Sequence, residues 1–123
     1  ESLRLGDHIG ILNGGRLVQA GTPEEIIMSP ADDYVEAFVK DVNRAKVLRA
    51  KTVMIKANEF NSKDLKLADV YKVDESSYIE QFLPKVLANR CTIMVVDKMG
   101  DTKGYITEKE LAISLSKDGY NLK

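Results

Sequence analysis

Hydrophobic and polar positions alternate in two short runs near the N-terminus, His8-Ile-Gly-Ile-Leu and Arg16-Leu-Val-Gln-Ala, with Asn13-Gly14-Gly15 between them. Glycine takes positive φ without a side-chain clash, so this spacing predicts a β-hairpin. Gly21-Thr22-Pro23-Glu24-Glu25 follows. Thr22 suits a cap, Pro23 the first helical position and Glu25 the closing residue of a capping box, so a short helix is expected to about Met28, ended by Ser29-Pro30. A second helix should start near Ala31, because Val35, Phe38, Val39 and Val42 fall on one stripe. From Asn43 to about Lys66 the pattern weakens, and Asn58 to Ser62 reads as loop.

Regular patterning returns at Leu67. Val70-Tyr-Lys-Val predicts a strand, and Asp74-Glu-Ser-Ser supplies cap residues. A helix follows with Ile79, Phe82, Leu83, Val86 and Leu87 on one face, and Pro84 should kink it or delay its start. Thr92-Ile-Met-Val-Val predicts a buried strand, Asp97 to Asp101 a turn and Lys103-Gly-Tyr-Ile-Thr the returning strand. A last helix opens at Thr107, with Leu111, Ala112 and Leu115 inward. The resulting β-α-β-β-α order predicts an α+β fold with one sheet face under two helices.

Composition narrows the function classes. Net charge is −1, with acids and bases interleaved, which argues against a nucleic-acid partner. No apolar run approaches membrane-spanning length; the longest, Cys91 to Val96, fits one strand. Cys91 has no partner cysteine and reads as a reduced, buried small hydrophobe, with a reactive or metal-binding thiol as the alternative. No metal site is expected. Gly14-Gly15-Arg16 lacks the spacing of a phosphate loop and reads as a turn. Lys98, Lys103 and Lys109 lie near one turn and read as a phosphate-favouring cluster or a solvated rim.

Two family resemblances enter on particular residues. Leu3-Arg-Leu-Gly-Asp and Gly21-Thr-Pro-Glu-Glu-Ile resemble the C-terminal end of ABC transporter ATPase domains. The continuation from Pro30 to Ala50 is similar to the bridge between ATPase and regulatory tail in importers of glycine betaine, proline, carnitine or choline. The resemblance implies a piece of a longer polypeptide whose ATPase motifs lie elsewhere. The chain itself is expected to have no catalytic residues, with His8 structural. The segment from Leu67 to Leu115 is similar to a CBS repeat, most closely over Cys91 to Leu111. In that family a nucleotide signature runs Gly, two apolar residues, Thr or Ser, two variable residues, Asp; here it reads Gly104 to Glu110, with Glu110 in place of Asp.

The resemblances imply three segments: residues 1–42 as the end of an ATPase domain, 43–66 as a junction or the remnant of a first CBS repeat, and 67–123 as a CBS repeat. They imply a nucleotide site on Gly104, Tyr105, Ile106, Thr107 and Glu110, with Tyr105 or Ile106 against adenine and Thr107 and Glu110 on phosphate and ribose. The residues themselves also allow a plain capping box from Thr107 to Glu110. No cofactor is required; ionic strength, an adenine nucleotide and cyclic di-AMP are the candidate signals. The implied setting is the cytoplasmic, inner face of a membrane, with the transporter's membrane subunit as partner. A homodimer through the CBS unit is also expected, sealed by Ile79, Phe82, Leu83, Val86, Leu111 and Leu115. The alternative is a degenerate CBS unit that only dimerises.

Overall fold

The computed structural model describes residues 1–61, 63 and 69–116. The expected return of order at Leu67 lies outside them. The chain forms two compact units, Glu1–Asn43 and Arg44–Lys123.

The first unit is a three-stranded antiparallel sheet, β1 (Ser2–Leu5), β2 (His8–Asn13) and β3 (Arg16–Gly21), in chain order. Gly14 and Gly15 have φ of 60° and 81°, the two left-handed residues that a tight hairpin turn needs. Helix α1 (Pro23–Met28) starts at the expected capping box: the Glu25 N–H donates to Thr22 Oγ1 at 3.2 Å, and the Thr22 N–H donates to Glu25 Oε1 at 3.2 Å. Helix α2 (Asp33–Val39) is capped by Asp32, whose carboxylate accepts from the Val35 N–H. Gln19 joins the two helices to β3, donating to the Ser29 carbonyl and accepting from the Ala31 N–H at 2.8 Å. Ile11, Ile26, Ile27, Val35 and Val39 form the core. The expected α2 stripe is only half inward, because Phe38 and Val42 are exposed; the helix stops at Val39, so Val42 is beyond its face.

The second unit holds a four-stranded sheet in the order β4 (Ile55–Lys56), β7 (Thr102–Ile106), β6 (Thr92–Val96), β5 (Val70–Asp74). Strand β5 (Val70–Asp74) leads through α5 (Ile79–Asn89) to β6 (Thr92–Val96), its parallel neighbour. Strand β7 (Thr102–Ile106) returns antiparallel to β6 and is followed by α6 (Glu108–Leu115). This is the expected β-α-β-β-α order. Register places Ile93, Val95, Gly104 and Ile106 on one face, and all four are buried. Ile79, Phe82 and Val86 of α5 and Leu111 of α6 are buried with them. Each of the Ile, Val, Leu and Phe side chains among them is worth about 1.5–3 kcal/mol removed from water.

The patternless stretch after Asn43 is built into this unit. Helices α3 (Arg44–Val47) and α4 (Ala50–Val53) and the two-residue strand β4 (Ile55–Lys56) lie there. Leu48, Ala50 and Val53 are buried. The Ile79 N–H donates to the Leu48 carbonyl, the Ala50 N–H to that of Ser77, and Arg44 Nη1 to that of Ser114. Helix α5 begins at Ile79, where the Tyr78 N–H donates to Gln81 Oε1 at 2.7 Å, five residues before Pro84, so the proline does not delay it. Leu87 and Ala112 face solvent, contrary to the expected stripes; Ser114 takes the inward position that Ala112 was expected to hold.

The turn after β6 gives a pH prediction. Asp97 Oδ1 accepts from the Met99 and Asp101 N–H groups at 2.9 and 3.0 Å, and Lys103 Nζ is 3.5 Å from Oδ2. The Asp101 N–H, then the Met99 N–H and the Lys103 charge, hold the Asp97 carboxyl below its usual value. A depressed carboxylate stabilises the fold above the unfolded-chain value of about 3.9 and loses that contribution as pH falls through the folded value. The thermal advantage of the unsubstituted chain over Asp97→Ala should therefore be complete at pH 6 and shrink below about pH 4. An advantage that stays constant down to pH 2 would remove this role.

Candidate functional site

A cleft of about 760 Å³ opens in the second unit beside the end of β7, within the size range of small-molecule sites. Ile55 comes from β4, Glu59, Phe60 and Asn61 from the segment after it, and Arg90, Cys91 and Thr92 from the end of α5 and start of β6. Thr107, Glu108, Lys109 and Glu110 come from the start of α6. The sheet explains this convergence. Ile55 pairs with Tyr105, and Tyr105 with Met94, on the face opposite the helical core.

Thr107 and Glu110, the polar members of the expected site, both line the cleft. They are also bonded to each other: Glu110 Oε1 accepts from the Thr107 N–H at 2.7 Å and from its hydroxyl at 2.6 Å. Gly104, Tyr105 and Ile106 are not among the lining residues. Ile106 is wholly buried in the core. Tyr105 stacks on Phe60 with ring centroids 4.5 Å apart and planes 29° apart, and it is Phe60 that reaches the cleft. Gly104 serves a packing need: a Cβ there would lie 2.7 Å from Met54 Sδ and nearer still to the Ile55 carbonyl.

Of the three lysines read together from sequence, only Lys109 lines the cleft. Lys103 is at the far turn with Asp97, and Lys98 belongs to the same turn. Sequence reasoning passed over Arg90. It ends α5 at φ 52°, and its Nε donates to Glu108 Oε1 at 3.1 Å, with Nη2 3.4 Å from Oε2. The bond to Glu108, then its charge, raises the guanidinium further above its ordinary value. Phe60 was missed because it sits in a segment without periodicity. Cys91 is a free, buried thiol in the cleft wall. His8 lies in β2, its Nδ1 2.8 Å from Asp7 Oδ1. Among the described residues no cluster of His, Cys, Asp or Glu could hold a metal ion, and no helix is long and apolar enough to cross a membrane.

No protein-family model matches the chain. Individual proteins do. A glycine betaine/carnitine transport ATP-binding protein of Listeria monocytogenes serotype 1/2a (strain 10403S) is 52% identical over 61 residues, 50% of this chain and 15% of that protein. The glycine betaine transport ATP-binding protein of Bacillus subtilis (strain 168) is 41% identical over 86 residues, 61% of this chain and 21% of that protein. A trimethylamine N-oxide transport system ATP-binding protein of Pelagibacter ubique (strain HTCC1062) is 33% identical over 106 residues, 86% of this chain. The chain is homologous to a stretch of the ATP-binding subunits of glycine betaine and related transporters. It spans less than a third of the length of each of these three relatives. For this transporter-subunit homologue the likeness to the Pelagibacter protein extends over most of the chain.

Proposed function

We propose that this homologue is a regulatory and assembly segment of the ATP-binding subunit of an osmoprotectant ABC importer of the glycine betaine/proline type. Its second unit is read as a CBS repeat that senses a cytosolic signal: ionic strength, an adenine nucleotide or cyclic di-AMP. The observation that carries this reading is the cleft, which sets Thr107 and Glu110 beside two cations, Arg90 and Lys109. A hydroxyl can donate to a phosphate oxygen, a carboxylate accepts from ribose hydroxyls, and cations suit phosphate oxygens. A ligand that prefers one arrangement of paired units would bias the parent's ATP cycle by that difference in affinity. The parent would be the ATPase, held at the cytoplasmic face of the membrane by its membrane subunit, and its tail would pair with a second copy. Pairing draws support from Leu87, exposed on α5 one turn beyond half-buried Leu83.

A second reading, a ligand-free structural unit, is favoured by one observation: Glu110 Oε1 is already engaged twice by Thr107. Calorimetric titration of the chain with AMP, ATP and cyclic di-AMP separates the two. The sensor gives saturable heat with at least one of them, and phosphate release from ATP stays at background, since no phosphate loop is present in the sequence. Flat titrations with all three would leave only the structural unit. Turnover of ATP that co-purifies with the chain would overturn its reading as a non-catalytic segment.

A further inference from the structure

We propose that Phe60 is the platform on which the cleft receives a planar aromatic group, the base of a nucleotide, with Tyr105 as its backing. This rests on the nucleotide reading above and goes further, because it moves the base-binding role from Tyr105 and Ile106 to a residue outside the Gly104–Glu110 motif. Three observations converge. Ile106 is fully buried among core side chains, so its surface is spent. Tyr105 does not line the cleft, and one face of the Phe60 ring is stacked against it at 4.5 Å. Phe60 does line the cleft and is the one aromatic among its described lining residues.

Ile55 supplies apolar wall, and Asn61, whose Oδ1 accepts from the Lys63 N–H, an amide able to donate at a base edge. The lining is of mixed charge: Lys109 and Arg90, the latter paired with Glu108, are the cations for a phosphate, beside the carboxylates of Glu59, Glu108 and Glu110. Tyr105 is fixed between Ile55 and Met94 by strand pairing, so the ring behind Phe60 is held by the sheet. A ring already stacked on one side loses little freedom when a base stacks on the other, which is how such pairs give affinity without a shape code. Stacking tolerates any base, so selectivity among nucleotides would come from the phosphate end.

The chain has no Trp, so Phe60→Trp places a single tryptophan at the platform, excited apart from the tyrosines. AMP, ATP and cyclic di-AMP should quench or shift its emission saturably, while ribose 5-phosphate, which lacks a base, should not. Phe60→Leu should weaken calorimetric binding of the same nucleotides about tenfold or more, and Phe60→Tyr should bind as the unsubstituted chain does. Melting curves of all three variants check that the fold is kept. If the unsubstituted chain binds a nucleotide and folded Phe60→Leu binds it equally, the platform is overturned and the nucleotide reading stands. Ribose 5-phosphate binding as tightly as AMP also overturns the platform. If the unsubstituted chain binds no nucleotide, the nucleotide reading and the platform fall together.

Discussion

Gly104→Val is expected to abolish the cooperative melt of the second unit. Any Cβ at position 104 would sit 2.7 Å from Met54 Sδ and 2.9 Å from Met54 Cγ, and would press on the Ile55 carbonyl. The Met54 side chain can swing away. The carbonyl cannot, because Ile55 and Lys56 are paired with Tyr105 and Gly104. Even Gly104→Ala should cost about 1–3 kcal/mol as an overpacked site, a fall of roughly 4–24 °C in melting temperature for a unit this small. The second branch of valine adds to that, against a total stability on the order of 5 kcal/mol. Circular dichroism melts decide it: a valine variant melting with the unsubstituted chain would show that the strands can part without cost.

Phe82 carries the other large effect. It is 1% exposed, buried within the single chain as Ile79 and Val86 of the same helix are, so it is core and not the seam between copies that the apolar stripe alone implied. Phe82→Ala should cost about 3–5 kcal/mol. Phe82→Asp adds an unpaired buried charge and should leave no folded species. Sedimentation together with circular dichroism separates the two roles. A folded, monomeric Phe82→Asp chain, beside a dimeric unsubstituted one, would return Phe82 to the seam. The expected outcome is loss of structure whatever the association state of the unsubstituted chain. Any pairing must then use surface that the single chain leaves open, such as Leu87.

What the sequence made legible was local. The Gly14-Gly15 turn, the Thr22–Glu25 box and the Thr107–Glu110 pair each depend on residues within a few positions of one another. The β5 to α6 order was readable because its strands and helices carry their own periods. Residues 44–56 were not readable, because what orders them is remote: Leu48 is tied to Ile79, and Arg44 to Ser114. A two-residue strand such as β4 has no period at all. Half of the site suffered the same way. Thr107 and Glu110 stand in a motif, whereas Phe60 and Arg90 join it only through pairing between residues far apart in the chain. Stripe counting also overstated burial, as Leu87 and Ala112 show, because a helix needs only part of its apolar face to cover a narrow sheet.

Strand β4 carries a kinetic consequence. The β6–β7 hairpin closes across a short turn, while Ile55 must find Tyr105 across a loop of some fifty residues, with loop-closure entropy to match. Beyond the two strand pairs, the Ala57 N–H to Lys103 carbonyl bond is the backbone link that follows them. The edge that brings Ile55 and Phe60 to the cleft is thus expected to assemble last and to open first. A brief detachment of that edge would carry Ile55 away from the other cleft residues while β5, β6 and β7 stay paired. Occupancy of the cleft would slow that detachment, so amide exchange at Ala57 would report on occupancy long before the melting temperature moved.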